Sequence, residues 1–242
     1  MVDHVLILVA MEAEAAPFIS ASKLEPGPTI DACGAKCYSG VHSSGVKITL
    51  AVNGKCKSGV DNVGTTPAAI TAFACISALR PALVLNAGTA GGFGAKGAKI
   101  GDAFLSTTLR HHDRRIPIPG WDDYAKGHHS SLDASRLVKE LNFKTGIVTT
   151  GNSLDYTPRD MELMLENDAT VKDMEAAAIA WVCEKLDCPF LALKVVTDIV
   201  DGDRPSHEEF MENLGAAALA LHEALPKTIQ FIAGKSIAEL SS

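Results

Sequence analysis

The sequence predicts one α/β domain over residues 1–242, with a mostly parallel sheet and helices outside it. Apolar runs of strand length alternate with longer helical patterns, and no repeat, low-complexity stretch or linker divides the chain. Apolar residues make up 47% of the sequence, with Ala and Val prominent and aromatic residues scarce. This composition suits tightly packed α/β layers.

The strands are predicted from short apolar runs bounded by turn residues. One segment alternates apolar and polar residues and turns at "SSG", which is typical of a hairpin. The strand that ends at Gly88 opens into a glycine-rich stretch that we expect to be a loop, "TAGGFGAKGAKIG". The predicted strands are Val5–Met11, the two arms of the hairpin Tyr38–Val52, Ala82–Gly88, Asp102–Thr108, Thr145–Thr150 and Phe190–Val196.

Four helices are predicted from their start and stop signals. The run "TTPAAITAFACISAL" has Thr66 as its N-cap, Pro67 at its first position and Pro81 just beyond its end. The segments "TPRDMELMLEN" and "MEAAAIAWVCEKL" are rich in good helix formers. A capping box from Ser206 to Glu209 starts the C-terminal helix.

Charge and composition exclude several classes of partner. The formal net charge of −7 argues against nucleic acid or an anionic membrane surface. No apolar run approaches the ~18–20 residues that span a bilayer. The six cysteines show no CxxC pair and no metal-ligand spacing, so we expect thiols in a reducing cytoplasm, no metal and no cofactor.

Polar side chains follow several of the predicted strands, at the edge where ligands of parallel sheets gather. Each has a structural explanation of its own: Glu14 and Glu175 suit the first turn of a helix, and Asp198 could cap a loop. Their joint placement favours a functional site. The polar residues at these strand ends and at the start of one helix are Glu12, Glu14, Asn86, Thr89, the segment "TGNSLD" (150–155), Glu175 and Asp198.

Six motifs then occur in the order found in one known family. These are "AMEAEA", "NAGTAGG", "IGD", "HHD", "DMEAAAIAWVC" and "TDIVDGD". From about Val5 to Phe231 the chain resembles the 5′-methylthioadenosine/S-adenosylhomocysteine nucleosidases of the purine nucleoside phosphorylase superfamily. "HDRRIPIP" and "TDIVDGDRP" are most similar to the plant branch.

This resemblance implies a three-layer α/β/α sandwich around a mixed, mostly parallel central sheet, and a homodimer. It implies that Asp198 is the general acid that protonates the purine and that Glu14 polarises the attacking water. Glu175 would hold the ribose hydroxyls. The resemblance places the substrate-contacting positions at Met11, Thr89, Leu154, Asp155, Met174, Lys194 and Thr197, and at Ile116 in a loop that crosses the dimer interface.

Three positions depart from the bacterial pattern of the family. Lys194 stands where the bacterial relatives carry Arg near the catalytic water, and it keeps the charge without the planar fork. Leu154 replaces a Phe that stacks on adenine. His207 replaces an aromatic residue near the 5′ substituent. The breadth of substrate, including S-adenosylhomocysteine, is left open by these changes.

The roles that the resemblance implies agree with the chemistry of N-glycosidic cleavage. The reaction places positive charge on the ribose and negative charge on the leaving purine, so a protonated carboxyl and ionised neighbours are useful. A phosphorylase is the nearest competing function, but Asn86 stands where hexameric phosphorylases carry Arg, so water is expected to be the nucleophile. A non-catalytic storage relative is disfavoured by the three acids, and a dinucleotide-dependent oxidoreductase would need a glycine fingerprint that the chain lacks.

Overall fold

The computed structural model describes residues 1–30 and 33–241. Within these ranges ten strands share one hydrogen-bonded sheet. The strands are β1 (His4–Val9), β2 (Glu25–Pro26), β3 (Lys36–Val41), β4 (Lys47–Val52), β5 (Leu83–Gly92), β6 (Ala103–His111), β7 (His129–Ser130), β8 (Lys144–Thr150), β9 (Val171–Asp173) and β10 (Phe190–Ile199).

The helices lie on both faces of the sheet, which gives the expected three layers. On one face α1, α4 and α7 pack together, and on the other α2 packs against α6. The helices are α1 (Glu12–Ala21), α2 (Thr65–Leu79), α3 (Asp122–Lys126), α4 (Ser135–Leu141), α5 (Pro158–Glu166), α6 (Ala176–Lys185) and α7 (Ser206–Ile232). In the described part of the chain, no helix is both long and apolar enough to cross a bilayer.

The sheet is mixed, and part of it closes on itself. Strands β4, β1, β5 and β10 pair in that order and run parallel to one another, and β6, β8 and β9 do the same. Antiparallel pairings join β10 to β6 and β9 to β5. The strands β5, β10, β6, β8 and β9 therefore form a closed ring, from which β1, β4, β3 and β2 extend as an open sheet.

Residues of the central strands alternate between two buried cores, as the two-residue period of a strand requires. In β1, Val5 and Ile7 face the core under α1 and α7, while Leu6 and Leu8 face the core under α2 and α6. The strands β5 and β10 alternate in the same way. Both faces of these strands are buried, which explains their nearly continuous apolar runs.

The central glycine-rich stretch is the main departure from the predicted strands. β5 continues through Gly92, four residues beyond the predicted end at Gly88, because β10 and β9 both pair with this part of it. A Cβ at Gly92 would lie 2.7 Å from the Ala98 Cβ. The glycines are thus needed for close packing within the ring.

Two of the predicted helix caps are wrong. Helix α2 begins at Thr65, after Gly64, whose φ of 100° favours glycine. Ser206 does begin α7, but no side chain caps this helix. The Glu209 carboxylate accepts the backbone N–H of Ile199 at 2.9 Å and so ties the helix to the end of β10.

Candidate active site

The strands β1, β5, β9 and β10 lead toward one cavity of about 210 Å³. Four carboxyl groups and a single lysine are among its lining residues, so acidic groups predominate in the cavity. The lining consists of Ala10, Met11, Glu14, Val63, Thr89, Ala90, Gly91, Leu154, Lys172, Asp173, Met174, Glu175, Thr197, Asp198 and Phe210.

A β-bulge brings Asp198 into this cavity. Along β10, Val196 pairs with Ala90 and Asp198 pairs with Gly91, so Thr197 is the extra residue. The Thr197 hydroxyl donates to Asp198 Oδ1 at 2.8 Å. Burial raises the pKa of Asp198 above the usual value for an aspartate, although the Thr197 hydroxyl opposes the change.

Glu14 is held by donors on both of its oxygens. Its Oε1 accepts the backbone N–H and the hydroxyl of Thr89, both at 2.7 Å, and its Oε2 accepts the Met11 N–H at 3.2 Å. Burial raises the pKa of Glu14, and the bonds from Thr89 counteract part of this effect. The carboxylate is therefore oriented across the gap between the start of α1 and strand β5.

Glu175 precedes α6, but its side chain does not cap that helix. Its Oε1 accepts the Gly64 N–H at 2.8 Å, which links the start of α2 to the cavity. Burial, together with the negative charge of Asp173, raises the pKa of Glu175 to about 7. A substantial fraction of Glu175 is thus protonated near neutral pH in the free protein.

A buried ion pair lies behind these acids. Lys194 Nζ is 2.8 Å from Asp173 Oδ2, and Asp173 also accepts the Thr150 hydroxyl at 2.6 Å and the Ala176 N–H at 2.9 Å. Burial would raise the pKa of Asp173, but Lys194 holds it below its usual value. The pair thereby fixes the start of α6, next to Glu175.

The structure brings most of the predicted site residues together. Three lie elsewhere: Lys194 is buried behind the cavity, and Asp155 lines a neighbouring depression with His207. Ile116 lies in the loop after β6, and it is absent from the lining of the cavity in its own chain. The predicted residues that do line the cavity are Met11, Glu14, Thr89, Leu154, Met174, Glu175, Thr197 and Asp198.

Sequence reasoning missed several lining residues. Lys172 and Asp173 directly precede the Met174–Glu175 pair, so proximity in the motif was a signal for them. Phe210 lies one turn into α7 and supplies an aromatic wall, whereas His207 lies outside the cavity. Val63 comes from the loop before α2, for which the sequence carries no signal that we could use.

Taken together, the fold and the buried acids define a carboxylate-lined site for a small molecule at the ends of a mixed sheet. A profile of the Phosphorylase superfamily matches residues 4–230. The chain is 44% identical to the 5′-methylthioadenosine nucleosidase of Arabidopsis thaliana, over 99% of this chain and 91% of that protein. It is 43% identical to the 5′-methylthioadenosine/S-adenosylhomocysteine nucleosidase of the same plant, over 99% and 95% of the two chains.

Solved structures of nucleosidases are similar to this chain in fold as well as in sequence. The apo structure of the A. thaliana 5′-methylthioadenosine nucleosidase superposes with a TM-score of 0.95 at 42% identity, over 98% of this chain and 99% of that chain. A Helicobacter pylori 5′-methylthioadenosine/S-adenosylhomocysteine nucleosidase shares the fold with a TM-score of 0.79 at 23% identity, over 95% and 99%. The chain therefore belongs to the phosphorylase superfamily and, within it, to the 5′-methylthioadenosine nucleosidase family.

Proposed function

We propose that the protein hydrolyses the N-glycosidic bond of 5′-methylthioadenosine, which releases adenine and 5-methylthioribose, as a step of methionine salvage. The observation that carries this proposal is the convergence of Glu14, Glu175 and Asp198 on one cavity. The two Arabidopsis relatives, at 44% and 43% identity, support the same substrate.

In this proposal Asp198 is the general acid. Burial raises the pKa of Asp198 and so favours the protonated carboxyl, which can protonate the purine as the bond breaks. Thr197 fixes the orientation of the acid through its 2.8 Å hydrogen bond. The leaving group then departs as a neutral purine and not as an anion.

The other two acids act on the sugar side. Ionised Glu175 stabilises the positive charge that develops on the ribose, and it acts most strongly in the transition state. Glu14, oriented by Thr89 and Met11, polarises the attacking water. The half-buried Met174 lines the same cavity, and in this proposal its thioether packs on the sugar.

Water fits this site better as nucleophile than phosphate does. Asn86 is buried in β5 and donates to the Leu8 carbonyl oxygen at 3.0 Å, so it cannot bind a phosphate ion in the cavity. The one lysine among the lining residues, Lys172, is bound to two carbonyl oxygens. The carboxylates that are ionised around the cavity would repel a phosphate dianion.

The test is to incubate the protein with 5′-methylthioadenosine, with and without phosphate, and to identify both products. We expect adenine and free 5-methylthioribose in phosphate-free buffer, at a rate that added phosphate leaves unchanged. Methylthioribose 1-phosphate as the main product would favour a phosphorylase. Absence of adenine under both conditions would refute the proposal. The same assay with S-adenosylhomocysteine decides whether it is also cleaved.

The proposal includes a homodimer in which the loop around Ile116 completes the partner's cavity. The loop carries the exposed residues Ile118 and Trp121. Helices α2 and α6 expose further apolar side chains near the start of this loop. Ile70 is 49% and Trp181 is 41% accessible to solvent. Apolar surface of this kind supports an interface between two copies.

Two further points belong to the proposal. We propose that residues 1–242 act as one nucleosidase domain, without a nucleic-acid or membrane partner. We also propose a cytoplasmic location. Cys75 and Cys183 support it, because they are buried thiols within the apolar core, as is usual in a reducing compartment.

A further inference from the structure

A buried lysine in the wall of the cavity has no role in the chemistry described above. Lys172 is the middle residue of β9, and it is 6% exposed. It lines the cavity together with Leu154 and Asp198. Because a lysine is almost never buried without partners, its surroundings indicate what it does.

The Lys172 ammonium binds backbone oxygen atoms of the adjacent loop. Its Nζ donates to the Ser153 and Leu154 carbonyl oxygens, both at 2.8 Å. These two residues lie between β8 and α5, and both are exposed on their outer side. Within the described part of the chain, these are the hydrogen bonds that hold Ser153 and Leu154.

The loop residues on either side of Ser153 and Leu154 are held by hydrogen bonds to other parts of the protein. Asn152 accepts from Thr65 and donates to Asp113, while the Tyr156 hydroxyl donates to the Val200 carbonyl oxygen at 2.9 Å. Between these attachments the loop reaches the sheet through Lys172. A single side chain therefore fixes the stretch that carries Leu154, which is 38% exposed and supplies an aliphatic wall of the cavity.

The charge of Lys172 also lies close to the proposed acid. Asp198 lies near two charged side chains, Lys172 of β9 and Glu209 of α7. It also interacts with the hydroxyls of Thr197 and Ser206. Burial raises the pKa of Asp198, and Lys172 opposes that rise. The same attraction acts on the lysine: burial lowers its pKa, and Asp198 and Asp173 work against this effect.

We propose that Lys172 is a positioning residue of the reaction, which ties the Ser153–Leu154 backbone to β9 and so fixes the cavity wall beside Asp198. This inference rests on the proposed function. Without the ammonium, two carbonyl oxygens lose their partner and the wall can move outward into solvent. Substrate binding should weaken more than the chemical step, because this wall contributes the apolar Leu154 side chain to the cavity and no acid.

The test compares Lys172→Met with wild type by limited proteolysis and by kinetics. We expect a non-specific protease to cut the free protein within residues 153–156 at least about tenfold faster, since loss of the two hydrogen bonds lets this exposed loop detach from β9. With 5′-methylthioadenosine, KM should rise about tenfold and kcat should fall less. The basic limb of the pH profile of kcat/KM should move to higher pH, because a cation near Asp198 is removed.

Two further variants separate positioning from general destabilisation. Lys172→Arg keeps the charge and the donors, and it should restore the pH profile and part of the KM. Lys144→Met is the matched control, because Lys144 Nζ also binds a carbonyl oxygen and a carboxylate, those of Gly97 and Asp102, but on the surface. It should change neither the cleavage rate within residues 153–156 nor KM.

The outcomes distinguish this inference from the proposed function. An unchanged cleavage rate within residues 153–156 in Lys172→Met would overturn the inference, whether or not the wild type cleaves the nucleoside. If the loop loosens but KM and the pH profile stay at wild-type values, Lys172 is structural only and the inference is also wrong. If Lys172→Met does not fold, the same measurements on Lys172→Gln decide, with changes in the same direction expected. A wild type that releases no adenine counts against the proposed function, and the proteolysis data still test whether Lys172 holds the loop.

Discussion

Lys194 and Asp173 form an ion pair of 2.8 Å in which both side chains are almost completely buried, at 1% and 0% exposure. The pair lies beneath a cavity that already holds three other carboxylates. Its positive member also acts on Glu14 and Glu175, so that it balances part of the negative charge collected there. Lys194 therefore lowers the free-energy cost of burying these acids.

Lys194→Met should therefore destabilise the protein strongly. It leaves Asp173 as a buried, uncompensated charge, which typically costs about 3–5 kcal/mol. Urea denaturation measures the free energy of unfolding directly. The double variant Lys194→Met/Asp173→Asn should recover much of the loss, since the unpaired charge is gone. A single variant within about 1 kcal/mol of wild type would show that the pair contributes little.

Asp198→Asn should abolish turnover while it retains binding. Loss of a general acid costs ~10²–10⁴ in rate, whereas the amide can still donate a hydrogen bond to the purine. Stopped assays of adenine release give the rate, and calorimetry with 5′-methylthioadenosine gives the affinity. Turnover close to that of the wild type would remove Asp198 from the mechanism.

Glu175→Gln should impair catalysis more than ground-state binding, and it should simplify the pH dependence of both activity and stability. The carboxylate is active when ionised, so wild-type kcat/KM should fall as the pH drops below about 7, the pKa of Glu175. The glutamine variant, which cannot titrate, should lack this limb. Equal losses in kcat and in affinity would indicate a purely structural acid.

The stability of the same variant follows from the sign of the shift. Folding raises the pKa of Glu175 from 4.5 to about 7, so its protonated form stabilises the fold below about pH 4.5 and this contribution is lost as the pH rises through 7. Between pH 5 and 8 the wild type should lose up to about 3 kcal/mol relative to Glu175→Gln. Denaturation at several pH values tests this, and a constant difference would contradict it.

Gly91→Ala should displace the acid without touching it chemically. A Cβ at Gly91 would lie 2.8 Å from Asp198 Oδ2 and 2.7 Å from a Val200 methyl group, closer than real contacts allow. If the Asp198 carboxyl moves by about 1 Å to relieve these contacts, kcat can fall on the order of 10²-fold. The matched control is Gly215→Ala in α7, whose new Cβ meets nothing within 4 Å and should leave activity intact. Equal activity in both variants would mean that Asp198 adapts.

Ile116→Asp should weaken dimerisation and raise the KM for 5′-methylthioadenosine together. A carboxylate in an apolar interface is costly, and the partner's cavity would lose its cover. Sedimentation velocity and steady-state kinetics measure the two effects. Val41→Asp, at a 72% exposed position on β3, serves as the control for a surface charge. A wild type that is a fully active monomer at assay concentration would rule out the shared cavity.

The sequence allowed the three layers and most of the site to be predicted, because both depend on local patterns. Apolar runs such as Phe190–Val196 identified central strands, and a carboxylate directly after a buried strand identified Asp198 as unusual. The ends of parallel strands meet at one edge, so Glu14 and Asp198 could be expected to lie close together. The cavity contains both.

The remainder depends on contacts that are distant along the chain. Lys172 reads as an ordinary lysine next to a motif, and only the loop at Ser153 explains its burial. The extension of β5 to Gly92 requires pairing with β9 and β10, which local propensity does not encode. Ser206 and Glu209 have the spacing of a capping box, yet Glu209 binds the end of β10 instead.

The ring formed by β5, β10, β6, β8 and β9 has a consequence for how a ligand could enter. A strand at a free edge can fray, whereas each strand of this ring is bonded on both sides and can separate only if two ladders break at once. The amides of β5 and β10 around Asp198 should thus exchange with solvent no faster than the whole molecule unfolds. Entry to the cavity must then depend on the segments that surround the ring: the loop that carries Val63, the loop that carries Leu154 and the first turn of α7.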